Sequence, residues 1–408
     1  MSSGAVPVPL VRVEAVGVAG LPDVTIELGR MTAFIGTRGS GKSQLLVAIS
    51  WLLDGRPVPG LRGGASEVRV AGDVARPAAP EVAGDVAAGG TAPTAAARAG
   101  TWRVERATGA SGDVRASPPG GVLPRCSFLR AVDRLGPPMD VGSGEIGARM
   151  ARGVPARTTD AAAADALIEA VESCCREGLG GEVLLIEEPE MLLTPQAQRY
   201  LYGLLRRFSE GGNQVVYSTW SPAFVDAAHH EEIVRLDLRQ GGTVLRRTDP
   251  GTLSDVERVR LQAEFDHERS EMFFAQKVVL VEGQTERLSL PFIFRAMGHD
   301  PDAEGIAIVE VGGKGNLPLA ARLLHQLAIP FVVVFDADRG SASAVLDAEI
   351  RRAAGGAPTV RFRPDFKAAA GISARDEKVL NAWRRFSGAR PEAIPGPLAE
   401  VVRLAVGL

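Results

Sequence analysis

The sequence predicts an α/β protein built from two successive units that each contain a parallel sheet. Two patterns carry this prediction. A glycine-rich segment, residues 36–43 (GTRGSGKS), lies between an apolar run and a stretch typical of a helix. Much later, acidic residues follow two further apolar runs, at Glu282 and at Asp336. Strands that alternate with helices favour parallel sheets, because parallel neighbours need long crossover connections.

The first unit is predicted to begin with two or three strands within residues 9–35, where apolar residues first alternate and then run together. A helix should start within residues 40–43 and continue to about residue 54. Residues 57–121 are rich in Ala, Gly and Pro, and are predicted to form an insertion that is partly a small hairpin and partly a flexible loop.

Further elements are predicted from the same periodicities. They are a helix at 160–178, a strand at 182–186, a helix at 195–209, a strand at 213–218, and a hairpin that turns at Gly241 and Gly242. The charged stretch 255–275 is expected to be a connecting helix, and a new strand should follow at 278–281. The predicted domains are therefore residues 1–254 and 276–408, joined by that helix.

Composition limits the possible partners and location. The 408 residues carry a net charge of −3, so DNA contacts must come from local patches or through metal ions. The three cysteines have no metal-ligand spacing, which favours reduced thiols. Neither a signal-peptide pattern nor an apolar run of 18 residues is present, so we expect a cytoplasmic protein without a membrane span.

Lysine is rare in this chain and arginine is common. Where arginine is preferred so strongly, a lysine can mark a position that needs a compact ammonium group. The lysines are Lys42, Lys277, Lys314, Lys367 and Lys378.

The glycine-rich segment predicts a phosphate-binding P-loop that binds ATP or GTP. Its glycines allow backbone N–H groups to turn towards phosphate oxygens, Lys42 can reach the β- and γ-phosphates, and Ser43 can bind Mg²⁺. The preceding strand and following helix are the context that this motif requires. The candidate nucleotide-binding residues are Gly36, Arg38, Gly39, Ser40, Gly41, Lys42 and Ser43.

A second element of the nucleotide site is predicted at Glu187 and Glu188, which follow the apolar run VLLI. Paired acids after a buried strand are typical of a Walker B motif. Glu187 would hold the Mg²⁺ water shell, and Glu188 would orient or deprotonate the attacking water.

These motifs resemble the ABC-type ATPase heads of the recombination-protein and SMC group, and more narrowly the overcoming lysogenization defect (OLD) family of ATP-dependent endonucleases. The resemblance lies in residues 187–198 (EEPEMLLTPQAQ), 213–226 (NQVVYSTWSPAFVD) and 231–236 (EEIVRL). In such ATPases a γ-phosphate sensor follows the strand that corresponds to residues 213–218 of this chain. The family normally has His at the position of Trp220. We therefore expect nucleotide binding with slow hydrolysis. Residues 141–145 (VGSGE) resemble a signature motif, although they lie unusually far before Glu187.

Four carboxylates predict a metal site in the second unit. Asp336 and Asp338 are alternate residues at a strand end and can share one metal ion. Glu282 should reach the same edge of a parallel sheet, and Glu286 lies one helical turn further on. Four oxygen donors without His or Cys favour Mg²⁺ or Mn²⁺ over zinc.

This ordered set, with the glycine-rich VEVGGKGN between its two parts, resembles the Rossmann-like Toprim domain of topoisomerases, primases and OLD nucleases. The resemblance covers residues 275–340. Related nucleases place a C-terminal lysine beside the metals; Lys378 is preferred for that role, and Lys367 and Lys314 are alternatives. A primase or topoisomerase is disfavoured, because the chain has no tyrosine-centred cleavage domain and no zinc-binding cysteine set.

The combined resemblance implies an ATP-regulated, metal-dependent DNA endonuclease that acts against phage or foreign DNA. It also implies a homodimer or higher oligomer formed through the ATPase half, and allows for a partner protein. The alternative is an ATP-switched DNA-binding or scaffold protein whose Toprim domain does not cleave.

Overall fold

A computed structural model describes residues 10–55, 67–75, 101–108, 114–117, 123–130, 144–153, 160–239, 242–337, 341–372 and 378–408. The chain divides into two compact units, residues 1–224 with 236–245, and residues 225–235 with 246–408. The predicted domain limits at residues 254 and 275 stay predictions.

The elements up to residue 247 include the strand and the helix on either side of the phosphate loop. In chain order they are β1 (Leu10–Val16), β2 (Val24–Glu27), β3 (Met31–Gly36), α1 (Lys42–Asp54), β4 (Val68–Ala75), β5 (Thr101–Thr108), β6 (Val114–Ser117), β7 (Arg125–Leu129), α2 (Glu145–Gly153), α3 (Asp160–Glu177), β8 (Glu182–Glu187), α4 (Pro195–Glu210), β9 (Gln214–Ser218), β10 (Ile233–Arg239) and β11 (Gly242–Arg247).

The segment predicted to be an insertion contributes to a larger sheet. Among the described residues, five strands form a sheet in the order β2-β1-β4-β5-β6. The predicted hairpin exists as the antiparallel pair β4 and β5. However, β4 also pairs along the whole of β1, with Val13 opposite Gly72. The predicted hairpin is therefore confirmed, and its strands also extend the N-terminal sheet. The interpretation of residues 57–121 as an insertion stays a prediction.

A second sheet carries the phosphate loop. Its described strands follow the order β11-β10-β3-β9-β8-β7, and β3, β9, β8 and β7 run parallel. Every residue of β3 is buried. Its last residue, Gly36, has a φ of 120°, and a Cβ there would lie 1.9 Å from the carbonyl oxygen of Leu236. Glycine is needed at this point because β10 passes directly against the backbone where the loop begins.

Helix α1 begins at Lys42, as the sequence predicts, and most of its residues are buried. The predicted strands and helices at 160–218 are also confirmed to within two residues. Strands β10 and β11 are sheet neighbours, as expected for the predicted hairpin, and Gly242 begins β11. The other predicted turn residue, Gly241, lies outside the described residues.

The remaining elements build the second unit. In chain order they are α5 (Asp255–Glu264), β12 (Lys277–Val281), α6 (Gln284–Ala296), β13 (Ile306–Glu310), α7 (Leu317–Gln326), β14 (Phe331–Asp336), α8 (Ser341–Ala354), β15 (Thr359–Phe362), α9 (Phe366–Ala370), α10 (Lys378–Phe386) and α11 (Gly396–Val406). In the described part of this unit, a parallel sheet has the order β13-β12-β14-β15. The predicted α/β class is confirmed.

The predicted helix over 255–275 is shorter in the structure. A capping box formed by Ser254 and Glu257 starts α5, but the helix ends at Glu264 because the buried Phe265 adopts an extended conformation. A short 3₁₀ helix follows at Arg269–Phe273. In the stretches that the structure describes, we find no helix with both the length and the apolar character that a membrane crossing would require.

Candidate functional site

The loop between β3 and α1 borders a cavity of about 880 Å³. Gly41 has a φ of 93°, and a Cβ there would meet the side chain of Leu21 at 2.2 Å, so the loop can follow this path only with glycine. The start of a 13-residue helix beside the cavity favours an anionic ligand. The residues that line the cavity are Ala19, Gly20, Arg38, Gly39, Ser40, Gly41, Lys42, Ser43, Gln44, Glu188, Ser218 and Trp220.

Lys42 is held inside this loop. Its ammonium donates hydrogen bonds to the carbonyl oxygens of Gly36 and Thr37, both at 2.9 Å, and only 6% of the residue is exposed. Burial lowers the pKa of Lys42 to about 8, although the charges of Glu188 and Asp237 oppose the shift. The lysine predicted to bind phosphate is therefore poorly solvated and already placed at the edge of the cavity.

The paired acids lie at the end of β8. Glu187 is the last residue of that strand and lies opposite Ser218 of β9. Glu188 follows in the left-handed region at φ 49°, and its N–H donates to the carbonyl oxygen of Ser218 at 2.9 Å. Because a non-glycine residue is strained in that region, the surrounding structure must hold Glu188 there.

Trp220 links the predicted phosphate-binding lysine to the predicted catalytic acid. The Lys42 ammonium lies 3.8 Å from the centre of the indole ring, and the indole N–H donates to Glu188 Oε1 at 3.1 Å. The backbone N–H of Trp220 donates to Glu190 at 2.7 Å.

Glu190 is a functional candidate that the sequence prediction did not include. Burial raises the pKa of its carboxyl, and its second oxygen accepts a hydrogen bond from the Thr219 hydroxyl at 2.8 Å. A third acid directly after Glu188 and Pro189 is the sequence signal that could have identified it.

The end of the signature-like motif, where the structure describes it, forms hydrogen bonds with another part of the same chain. Residues 141–143 lie outside the described part, but the N–H groups of Glu145 and Ile146 donate to the buried carboxylate of Glu182, at 2.9 and 3.3 Å. The Glu182 carboxylate therefore accepts hydrogen bonds from backbone N–H groups at the start of α2.

Three of the four predicted metal-binding carboxylates lie at the carboxyl edge of the second unit's sheet. Glu282 follows β12, Asp336 ends β14, and Glu286 lies in the first turn of α6. The N–H of Asp336 donates to Glu282 at 3.4 Å, and Asp336 Oδ1 accepts a hydrogen bond from the N–H of Phe366 at 2.8 Å. Burial raises the pKa of Glu286 to about 7; the charges of Asp336 and Glu282 add to the rise, and backbone hydrogen bonds oppose it.

The donors at this edge suit a hard divalent cation, because they are carboxylate oxygens whose charges already affect one another. Within the ranges that the structure describes, no three acidic, histidine or cysteine side chains form a cluster that could hold a metal ion. Asp338, the fourth predicted donor, lies outside those ranges. A complete metal site would therefore depend on Asp338 together with Glu282, Glu286 and Asp336.

The three candidate lysines differ in their positions. Lys314, only 7% exposed, donates to the Asp336 carbonyl oxygen at 2.6 Å and to the Ser343 hydroxyl at 3.2 Å. Its ammonium also lies 2.8 Å from Asp347, which is 2% exposed and lies 2.8 Å from Arg361 as well. Lys314 thus holds the end of β14 from inside the fold.

The other two candidates lie on later helices. Lys367 follows Phe366 in α9. Lys378 is the first residue of α10, and its side chain is not among those described.

A phosphate loop, a strand that ends in paired acids, and a parallel sheet edged by carboxylates define an ABC-type ATPase followed by a Toprim domain. Comparison with known families agrees with this class. The family described as "Overcoming lysogenization defect protein-like, TOPRIM domain" matches residues 273–338. The family "AAA domain, putative AbiEii toxin, Type IV TA system" matches residues 161–226.

Two curated relatives are similar over part of the chain. One is the OLD nuclease of Thermus scotoductus, 41% identical over 175 residues, which are 41% of this chain and 33% of the relative. The other is the Old nuclease of Escherichia phage P2, 29% identical over 161 residues, which are 38% of this chain and 28% of the relative. The chain thus spans about a third of the length of these relatives.

A solved structure, the C-terminal region of the Xanthomonas campestris pv. campestris OLD protein, covers 34% of this chain and 95% of its own. It is 17% identical to this chain, with a TM-score of 0.25. Over these matched segments the chain is similar to ATPase–Toprim proteins of the OLD family.

Proposed function

We propose that this protein is an ATP-regulated, divalent-metal-dependent DNA endonuclease. The observation that carries the proposal is the placement of Glu282, Glu286 and Asp336 at one sheet edge, where their charges interact, in a segment that matches the OLD-like Toprim family. Asp338 would complete the metal site. Support also comes from the two relatives, each of which bears the name of a nuclease.

Each half of the chain has a separate task in this proposal. Glu282, Glu286, Asp336 and Asp338 would hold Mg²⁺ or Mn²⁺, and such ions activate water and stabilise the leaving oxygen of a phosphodiester. The N–H of Phe366 orients the Asp336 carboxylate, and Lys314 fixes the Asp336 carbonyl. Lys378 would contribute an ammonium beside the cleaved phosphate.

In the ATPase half, the residues of the loop 36–43 would cradle the phosphates of ATP. Ser43 and Glu187 would hold its Mg²⁺, and Glu188 would orient water. ATP would then act mainly as a switch, because Trp220 occupies the position at which a polar sensor is expected. The family resemblance further supports a homo-oligomer formed through the ATPase half, and a role against phage or foreign DNA.

The test is cleavage of supercoiled plasmid by the purified chain with Mg²⁺ or Mn²⁺, each with and without ATP. Metal-dependent nicking or linearisation that disappears in Asp336→Ala and in Asp338→Ala is expected. DNA binding without cleavage under every condition would instead favour the scaffold alternative. Cleavage that persists in both variants would show that the carboxylates are not the catalytic site.

A further inference from the structure

The ammonium of Lys42 is surrounded on several sides by the protein itself. Two of its contacts are the carbonyl oxygens of Gly36 and Thr37, each at 2.9 Å. A third is the face of the Trp220 ring, whose centre is 3.8 Å from the nitrogen. An ammonium over an indole face is attracted by the ring's negative electrostatic potential, and indole is the best of the aromatic partners.

The same indole also engages Glu188 through its N–H, at 3.1 Å. One side chain therefore contacts both the predicted phosphate-binding lysine and the predicted hydrolytic acid. Lys42 and Trp220 line the same cavity, so the ring contacts the ammonium at the cavity where a phosphate group of ATP would bind.

The backbone beneath Trp220 is anchored independently of the ring. Glu190 accepts the N–H of Trp220 at 2.7 Å with one oxygen, and the Thr219 hydroxyl at 2.8 Å with the other. The residue itself is 42% exposed. The indole can therefore rotate towards solvent about its side-chain torsions while the loop stays in place.

We propose that Trp220 is a displaceable ligand of Lys42 that sets the affinity for ATP. The β- and γ-phosphates replace the ring at the ammonium, and the departure of the ring also removes the indole N–H from Glu188 Oε1. This inference rests on the proposed ATP site, and it assigns Trp220 a role opposite to that of a phosphate sensor. A sensor would strengthen ATP binding, whereas a competing ligand weakens it.

The two roles predict opposite changes in ATP affinity when the Trp220 ring is removed. Isothermal titration calorimetry with ATP and Mg²⁺ should give a dissociation constant that is lower in Trp220→Ala than in the wild type, by about fivefold for a partly desolvated cation–π contact. Trp220→Phe should fall between them, because phenyl keeps a ring face but has no N–H for Glu188. Trp383→Ala, which truncates a 48% exposed tryptophan of α10, is the matched control and should leave the affinity unchanged.

Fluorescence gives an independent readout of the displacement. ATP should change the emission of the wild type and of Trp383→Phe, and should change that of Trp220→Phe much less. Equal or weaker ATP binding by Trp220→Ala would overturn the proposal while leaving the ATP site intact. If ATP binds the wild type no better than Lys42→Ala, the nucleotide site itself fails, and the displacement proposal fails with it.

Discussion

Lys42 and Lys314 occupy comparable places in the two units and have different surroundings. Each follows a parallel strand and a glycine-rich turn, and each donates to the backbone carbonyl oxygen of a residue near a strand end. Their exposed fractions, 6% and 7%, are nearly equal. Burial alone therefore does not separate them.

The difference lies in the nature of their partners. Lys314 forms an ion pair with the buried Asp347, so its charge is balanced inside the fold. Lys42 contacts two carbonyl oxygens and an aromatic ring beside an 880 Å³ cavity, and burial lowers its pKa. A buried ammonium with a buried counter-ion supports structure, whereas one that faces a movable ring and a cavity is suited to a ligand.

The largest expected effect comes from removing the carboxylate of Asp336, the residue whose backbone carbonyl oxygen accepts a hydrogen bond from Lys314. Asp336→Ala should reduce metal-dependent DNA cleavage by roughly a thousandfold, because the loss of a metal ligand removes several kcal/mol of transition-state stabilisation. Initial rates of plasmid nicking measure the loss, and the circular dichroism spectrum checks the fold. Wild-type cleavage rates in this variant would show that the Asp336 carboxylate does not take part in cleavage.

Lys314→Met should lower the free energy of unfolding by about 3–5 kcal/mol, because it leaves Asp347 and its remaining partner Arg361 in an incomplete buried network. Urea denaturation measures the change. The matched variant Lys42→Met removes an ammonium of the same burial without breaking such an ion pair, and should cost much less. Equal losses in the two variants would contradict the distinction between a structural and a ligand-binding lysine.

The lysine proposed to assist DNA cleavage should be sensitive to replacement by arginine. Lys378→Arg is expected to reduce cleavage by about a hundredfold, because a planar guanidinium keeps the charge but not the compact donor beside the phosphate. Lys367→Arg is the control with the same change and should cleave nearly normally. Normal cleavage by Lys378→Arg, together with a loss in Lys367→Arg, would move the role to Lys367.

The smallest expected effect concerns turnover in the ATPase half. Trp220→His should raise the steady-state rate of ATP hydrolysis by about tenfold, because an imidazole can form a polar contact with the γ-phosphate that strengthens in the transition state. Phosphate release measures the rate. An unchanged rate would mean that Trp220 does not limit hydrolysis, whatever its effect on ATP affinity.

Contiguous patterns were sufficient to predict the phosphate loop and its surroundings. The glycine-rich segment, the preceding apolar strand and the start of α1 at Lys42 are all encoded within a few tens of residues. The role of β4–β6 was not predicted, because nothing in their composition records that β4 pairs with β1, some 60 residues earlier.

The residues at the carboxylate edge were predictable only where a local sequence pattern marks a strand end. The positions of Glu282 and Asp336 follow from strand ends, but the partner of Lys314 does not, since Asp347 lies 33 residues further along the chain. One signal was available. Asp347 shares a helix face with Ile350 and Ala354, which are also buried, so an acid there needs a buried partner.

The central claim, that one buried lysine serves ATP and the other serves the carboxylate edge, is tested most directly by measuring ATP binding in Lys42→Met and Lys314→Met under the same conditions. At a temperature where both variants are folded, calorimetry with ATP and Mg²⁺ should show a loss of about a hundredfold in affinity for Lys42→Met, because charge-assisted contacts to two phosphates disappear. Lys314→Met should bind ATP like the wild type. Wild-type affinity in Lys42→Met, or a comparable loss in Lys314→Met, would contradict the account.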